Sequence, residues 1–189
     1  VHAENLRPHR KGLVIDMVTT YSVAGEEIWR QTSAFLGQGA KFTKDTPQEV
    51  TARPEAERFL DFPGDEVGTS TATLRFSSES TRVYAEASGD KNPIHVSKVG
   101  AKLFGFPATI AHGMYTHARM LSVLEGVLTG GTRITADFYK PVILPATTGV
   151  YVAPAGADVA RGAGARDLTL RKAKDPSKLH VAARVEPLS

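Results

Sequence analysis

The 189-residue chain contains no cysteine. That excludes a disulfide framework, a thiolate zinc site and a cysteine nucleophile, and it fits a cytoplasmic protein. No apolar run approaches the length of a membrane span, so no membrane partner is expected. No basic stretch leads into an apolar one, as a secretory leader would require. Charge of one sign is also scarce. Lys and Arg number 23 against 20 Asp and Glu, a net +3, too weak to argue for nucleic acid. An excess of this size is compatible with an anionic small ligand such as a phosphate-bearing carrier. Neither G-x-G-x-x-G after a strand nor G-x-x-x-x-G-K-[ST] occurs, so nucleotide cofactors lack support. Gly-x-Ser-x-Gly is missing, which argues against an α/β-hydrolase. The six histidines show no H-E-x-x-H or comparable spacing, and no metal site is expected.

What is present is a soluble, globular composition, 41% hydrophobic and 23% charged, long enough for one large or two small domains. The first residue is Val1 rather than an initiator Met, so a processed or truncated start is expected. Leu6–Gly12 reads as a basic turn. Leu13–Val23 and Glu27–Leu36 read as strands of a hairpin turning at Ala24-Gly25-Glu26, with Leu13, Ile15, Met17 and Tyr21 sharing one face. A hairpin alone is marginal in water and must join something larger. Residues 40–68, rich in Lys, Asp, Glu, Pro and Gly, read as a linker with a short helix from Pro54 to Leu60.

From Thr69 the pattern changes. Thr69–Phe76 is expected to be a strand. Ser77 or Ser78 caps a helix over Glu79–Ser88, and Gly89 stops it. Ser97–Phe104 is a second short helix. His112–Leu128 is the longest helix expected, with Met114, Leu121, Leu124 and Leu128 as its apolar stripe and Gly130-Gly131 as its end. Strands over Arg133–Lys140, Thr147–Ala153, Asp167–Ala173 and Lys178–Glu186 complete an antiparallel meander. The Gly/Ala loop Ala155–Ala165 and the turn Asp175-Pro176-Ser177 separate the later ones. A long helix against a curved antiparallel sheet is an α+β solution.

The chemistry concentrates in Ala87–Met114. Asp90 and His95 sit on a Gly/Asn/Pro loop. Pro93 between them argues against helical pairing, whereas Gly89, Asn92 and Pro93 can bend the loop so that both side chains face one cleft. A carboxylate and an imidazole so placed can hold a water and move its protons; an Asx-turn and a surface histidine are the plainer alternative. Gly113 opens the following helix, whose N-terminal amides and dipole can stabilise an oxyanion; a packing glycine is the alternative there. These parts suit proton chemistry beside a carbonyl, and they suit acyl hydrolysis equally. His112 reads as a ligand contact or a cap and His117 as a partly buried structural histidine. His2, His9 and His180 read as solvent-facing.

The run Tyr84-Ala85-Glu86-Ala87-Ser88-Gly89-Asp90-Lys91-Asn92-Pro93-Ile94-His95, with Gly105-Phe106 and Ile110-Ala111-His112-Gly113-Met114 after it, resembles the MaoC-like, or hydratase-2, family. The resemblance covers Thr69–Ser189. It implies a hot-dog fold and, in fatty acid metabolism, reversible hydration of trans-2-enoyl thioesters or dehydration of (3R)-hydroxyacyl thioesters. Asp90 and His95 would then be the catalytic pair and the Gly113 amide the oxyanion donor, with Ser88, Asn92 and His112 in support. No metal or redox cofactor is implied. The substrate would ride on coenzyme A or acyl carrier protein, and Lys140 or Arg133 would meet its phosphates, with surface solvation as the alternative role. Residues 1–39 look like closing strands of a partial N-terminal hot-dog half, followed by the linker over 40–68 and a catalytic domain over 69–189. That implies a homodimer or an internal double hot dog, and a longer parent chain. A hot-dog acyl-thioesterase and a non-catalytic acyl-thioester-binding subunit are the competing readings.

Overall fold

The computed structural model describes residues 5–53, 68–128, 130–154 and 164–188. The helix expected over Pro54–Leu60, most of the loop Ala155–Ala165, and His2 lie outside these residues. The chain divides into two compact units, Val1–Arg58 and Phe59–Ser189.

The first unit is a three-stranded antiparallel sheet in the order β1 (Leu6–His9), β2 (Gly12–Val23), β3 (Glu26–Gln38). The segment read as a basic turn therefore contains a strand, with Leu6 opposite Ile15 and His9 opposite Gly12. Arg7 earns its place there by a two-pronged bond to Asp16, 2.9 and 2.7 Å. β2 and β3 join through Ala24 and Gly25, both at positive φ (51° and 85°), the geometry of the tight turn that matches strand twist. Gly12 is at φ 153°, and a Cβ there would run into the carbonyl oxygen of Gly37. A short helix, α1 (Gln48–Thr51), buries Val50, and Arg53 donates to the carbonyl of Leu6. The face shared by Leu13, Ile15, Met17 and Tyr21 is covered only at its start, where Leu13 and Ile15 are half-buried. Met17 and Tyr21 are exposed, as are Trp29 and Phe35, while Val14, on the opposite face, is buried. Alternation assigns residues to faces, but which face is covered depends on a second layer that the local sequence does not encode.

The second unit is a five-stranded antiparallel sheet in the order β4 (Ala72–Phe76), β6 (Ala146–Pro154), β7 (Arg166–Lys172), β8 (Asp175–Pro187), β5 (Thr132–Phe138). The helices are α2 (Ser78–Ser88), α3 (Pro93–Val96), α4 (Lys98–Leu103) and α5 (Gly113–Leu121). α5 continues as a 3₁₀ turn over Ser122–Leu124 and lies against the sheet, the α+β hot-dog arrangement. The core joins Leu74 and Phe76 of β4, Val150 of β6, Leu168 and Leu170 of β7, and Val181, Ala183 and Val185 of β8 to Met120 and Leu124. Each fully buried large side chain here contributes about 1.5–3 kcal/mol.

The helix is shorter than expected and rolled differently. Met114 and Leu128 are exposed, and the covered stripe is Thr116, Met120 and Leu124, with Tyr115 and Leu121 half-buried. Thr116 can face inward because its hydroxyl donates to the carbonyl of Gly113 at 2.6 Å. The chain turns at Gly126, φ 77°, before reaching Gly130. His180 is buried rather than solvent-facing, because β8 is an interior strand with neighbours on both sides. Its Nδ1–H donates to the Lys140 carbonyl at 2.9 Å. β8 also begins at Asp175, so the expected turn Asp175-Pro176-Ser177 is already strand. His9 is half-buried, and its Nδ1 accepts the backbone N–H of Lys11.

Candidate active site

α2 delivers the chain to the site. Ser77 and Ser80 form a reciprocal cap at its start, and Gly89 ends it at φ 74°, a conformation glycine adopts without steric cost. Short side-chain bonds then shape the loop. Ser88 Oγ accepts the amide of Asp90 at 3.3 Å, Asp90 Oδ1 accepts that of Asn92 at 3.2 Å, and Asn92 Oδ1 accepts that of Ile94 at 3.3 Å. The last of these caps α3, whose first residue is Pro93. Pro93 thus starts a helical turn instead of preventing one, since its missing N–H would have had no partner there. His95 rides on that turn while Asp90 stays outside it. α4 packs on α3 through Gly100, where a Cβ would lie 2.6 Å from Pro93 Cβ and 2.9 Å from its carbonyl oxygen. Gly100→Ala is therefore expected to destabilise the unit by about 1–3 kcal/mol, read as a lower denaturant midpoint at unchanged slope.

The two imidazoles stack, with ring centroids 3.8 Å apart and 27° between planes. His95 Nδ1 lies 2.9 Å from the Ile110 carbonyl, and His112 Nε2 lies 2.8 Å from the Asp90 carbonyl. A carbonyl only accepts, so each of these nitrogens carries the proton. The two rings thus commit opposite nitrogens: His95 leaves Nε2 free of that carbonyl, and His112 leaves Nδ1, which is buried without a partner among the described residues. Burial pushes the His95 pKa below its ordinary 6.5 and His112 pushes the same way, against the Ile110 bond and Asp90. His95 is therefore neutral at neutral pH. The Asp90 carboxylate remains about half exposed, with Oδ2 4.0 Å from His112 Nε2.

Asp90, His95 and His112 bring one ligand-type atom each within 4.8 Å of one another. The fit to a metal is poor all the same. Stacked rings hold their lone pairs in nearly parallel planes, whereas two imidazoles binding one ion must both turn their ring planes toward it.

Gly113 is the first residue of α5, so its N–H has no carbonyl one turn earlier to bond. A Cβ there would press on the Phe138 ring at 3.2 Å. His95 and Gly113 line one cavity of about 290 Å³, walled by Phe106, Ile110, Phe138 and Val142. Ser88 and Asn92 act on the loop and do not line this cavity. Arg133 is exposed on β5 and does not line it either, whereas Lys140 does. Sequence reasoning missed Phe138, His180 and the Ile110 carbonyl. The first two carried a signal in strand position, while a backbone acceptor leaves none in residue type.

The same fold recurs elsewhere. Residues 58–172 match the family described as MaoC like domain. The chain belongs to the MaoC-like family. Among its MaoC-like relatives is 3-hydroxyacyl-thioester dehydratase X of Mycobacterium tuberculosis, 42% identical over 171 residues. The match takes in 90% of this chain and 55% of that protein, so the chain spans about half the length of this relative. The crystal structure of HtdX from the same organism superposes with a TM-score of 0.69 at 38% identity, covering 97% of this chain and 64% of that one. The (R)-hydratase PhaJ1 of Pseudomonas aeruginosa superposes at 0.52 with 25% identity, covering 66% of this chain and 83% of its own. Among the described residues, no helix is long and apolar enough to cross a membrane.

Proposed function

We propose that this MaoC-like chain carries the site for reversible hydration of trans-2-enoyl thioesters and dehydration of (3R)-hydroxyacyl thioesters in fatty acid metabolism. The observation that carries the reading is that His95, whose Nδ1–H is committed to the Ile110 carbonyl, lies beside Asp90 and shares one apolar cavity with Gly113. In hydration, a water held by Asp90 and His95 attacks C3. Its proton passes to His95 Nε2 as the new C–O bond forms. The electron pair moves to the thioester oxygen, where the Gly113 N–H meets the growing negative charge. The enolate collapses, and the proton returns to C2 from the same face through the Asp90–His95 pair. One water is added, and no redox partner or metal is required. Ser88, Asn92 and His112 hold the loop and the carboxylate in position. Coenzyme A or acyl carrier protein bears the acyl group. A cytoplasmic setting belongs to the same proposal, as does pairing of hot-dog halves, either in a homodimer or within one longer chain whose first half closes with residues 1–39.

The test is loss of enoyl-thioester absorbance on adding the chain to a short trans-2-enoyl-CoA, with the product resolved by hand. The expected result is formation of the (3R)-hydroxyacyl thioester. Release of free thiol would instead make the protein a thioesterase, and binding without turnover would make it an acyl-binding subunit.

The pH dependence follows from the tautomer. His95 must be unprotonated at Nε2 to take the proton, and its pKa lies below 6.5. The acid limb of kcat/KM is therefore expected to fall below pH 6.5, with activity lost as pH drops through it. A midpoint above 6.5 would remove His95 as the base.

A further inference from the structure

His95 is held by one edge and one face. The edge bond runs from Nδ1 to the Ile110 carbonyl at 2.9 Å. A single bond of this kind fixes one atom, and the imidazole can still turn about it, because the last torsion of a histidine is soft. The face is held by His112, with ring centroids 3.8 Å apart and 27° between planes. His112 is itself fixed through Nε2 on the Asp90 carbonyl, and it is nearly sealed from solvent, at 2% exposure.

The stack does not end at His112. The Tyr84 ring centroid lies 5.0 Å from that of His112, at 54°, and 5.1 Å from that of Tyr115, at 28°. Tyr115 meets Phe76 edge-on at 5.5 Å, and Phe76 is buried in the core. Arg119, one turn along α5 from Tyr115, donates to the Tyr115 hydroxyl at 3.2 Å and lies 5.9 Å from the centres of both the Tyr115 and the Phe76 rings. A column of rings thus runs from the core to the catalytic cavity, with β4, α5, α2 and α3 each contributing to it. Tyr84 joins its anchored part to the two histidines. Among the described residues the Tyr84 hydroxyl bonds to neither histidine, so what Tyr84 supplies is the ring.

We propose that Tyr84 is a positioning residue for the hydration chemistry: its ring braces His112 and, through His112, holds the plane of His95. The inference rests on the hydration reading of the site. A base must keep its nitrogen within hydrogen-bond reach of the proton it takes, and a misplacement of about 1 Å costs about 10²-fold in rate. An aliphatic side chain at position 84 fills space but offers no flat face, so His112 and then His95 gain freedom to tilt. Tyr84 does not line the cavity, so the effect falls on the chemical step and the cavity walls stay in place. The groups near His95 that can carry charge are Asp90 and His112 beside it, with Lys140 and His180 on the same cavity. A change at position 84 alters none of them. Burial is the main cause that holds His95 below its ordinary 6.5, so a ring that tilts toward water titrates higher.

The experiment compares Tyr84→Leu with Tyr84→Phe, after melting curves show that each is folded; Tyr84→Met takes the place of the leucine variant if that one does not fold. Two things are read. One is kcat and KM on a short trans-2-enoyl-CoA. The other is the titration of the His95 ring by nuclear magnetic resonance on histidine-labelled protein, the signal being assigned by its loss in His95→Ala. In the leucine variant kcat is expected to fall about 10–10²-fold with KM within about twofold, and the His95 titration is expected to move up toward 6.5. The phenylalanine variant is expected to match the wild type in all three. Wild-type kcat in the leucine variant overturns the proposal, as does a slow leucine variant whose His95 titration is unmoved. A phenylalanine variant as slow as the leucine one also overturns it, since the hydroxyl would then be the working group. A raised His95 titration in the leucine variant of a protein that turns over no enoyl thioester would support the bracing and sink the hydration reading.

Discussion

Asp90→Asn and His95→Ala are each expected to lower kcat/KM for a short trans-2-enoyl-CoA by about 10²–10⁴-fold, the range for a positioned proton-transfer group. The asparagine keeps an oxygen able to accept the Asn92 amide, so the loop bond at 3.2 Å is preserved while the charge is lost. The alanine removes both the Nε2 lone pair and the Nδ1 bond to the Ile110 carbonyl. That second loss leaves the Ile110 carbonyl without its donor and costs about 1–3 kcal/mol of stability, so a melting curve accompanies the rate. Because both groups act on one water, the double variant is expected to be little worse than the poorer single one. Stopped-flow or steady-state absorbance on the three variants checks this. Full activity in either single variant would end the assignment of the pair.

Gly113 permits a sharper test of the oxyanion donor, because two substitutions place the same Cβ against Phe138 and differ in the N–H. Gly113→Ala keeps the donor and pushes the ring, 3.2 Å away, by a few tenths of an ångström. Gly113→Pro adds the same Cβ and deletes the donor. Proline is tolerated at the first helical position, and His112 before it is already extended, at φ −60° and ψ 138°, as a residue preceding proline should be. The proline variant is expected to be slower than the alanine variant by about 10²–10³-fold in kcat, the loss typical of one oxyanion-hole donor, while melting temperatures stay close. Equal rates would mean that the thioester oxygen is held elsewhere.

Much of the second unit was legible because its signals are local. Ser77 as a cap, Gly89 as a stop and the alternation through Val181, Ala183 and Val185 each follow from one residue's stereochemistry or from a period of two. The roll of α5 was not legible. Leucine and methionine at helical spacing mark a stripe, yet Thr116 took an inward place once its hydroxyl found the Gly113 carbonyl, and Met114 was left outside. The burial of His180 depends on strand order, which no local pattern fixes. The site divides the same way. Asp90, His95 and Gly113 announce themselves as residue types on a loop and at a helix start. The stacking of His95 on His112 and the choice of nitrogen on each ring require the carbonyls of Ile110 and Asp90 to be in place; the first is fixed by the long-range bonds Ile110 N–H to Ile94, Ala111 N–H to Val142 and Leu144 N–H to Thr109, the second by the loop bonds of Ser88 and Asp90.

The atoms that decide where each imidazole keeps its proton are thus main-chain oxygens. Mutation can exchange the side chain at position 110 for another of similar bulk without touching the acceptor, so this part of the machinery is shielded from ordinary amino-acid replacement. Evolution can rework the cavity wall at Ile110 to suit a different ligand, and the protonation pattern of the two rings survives the change.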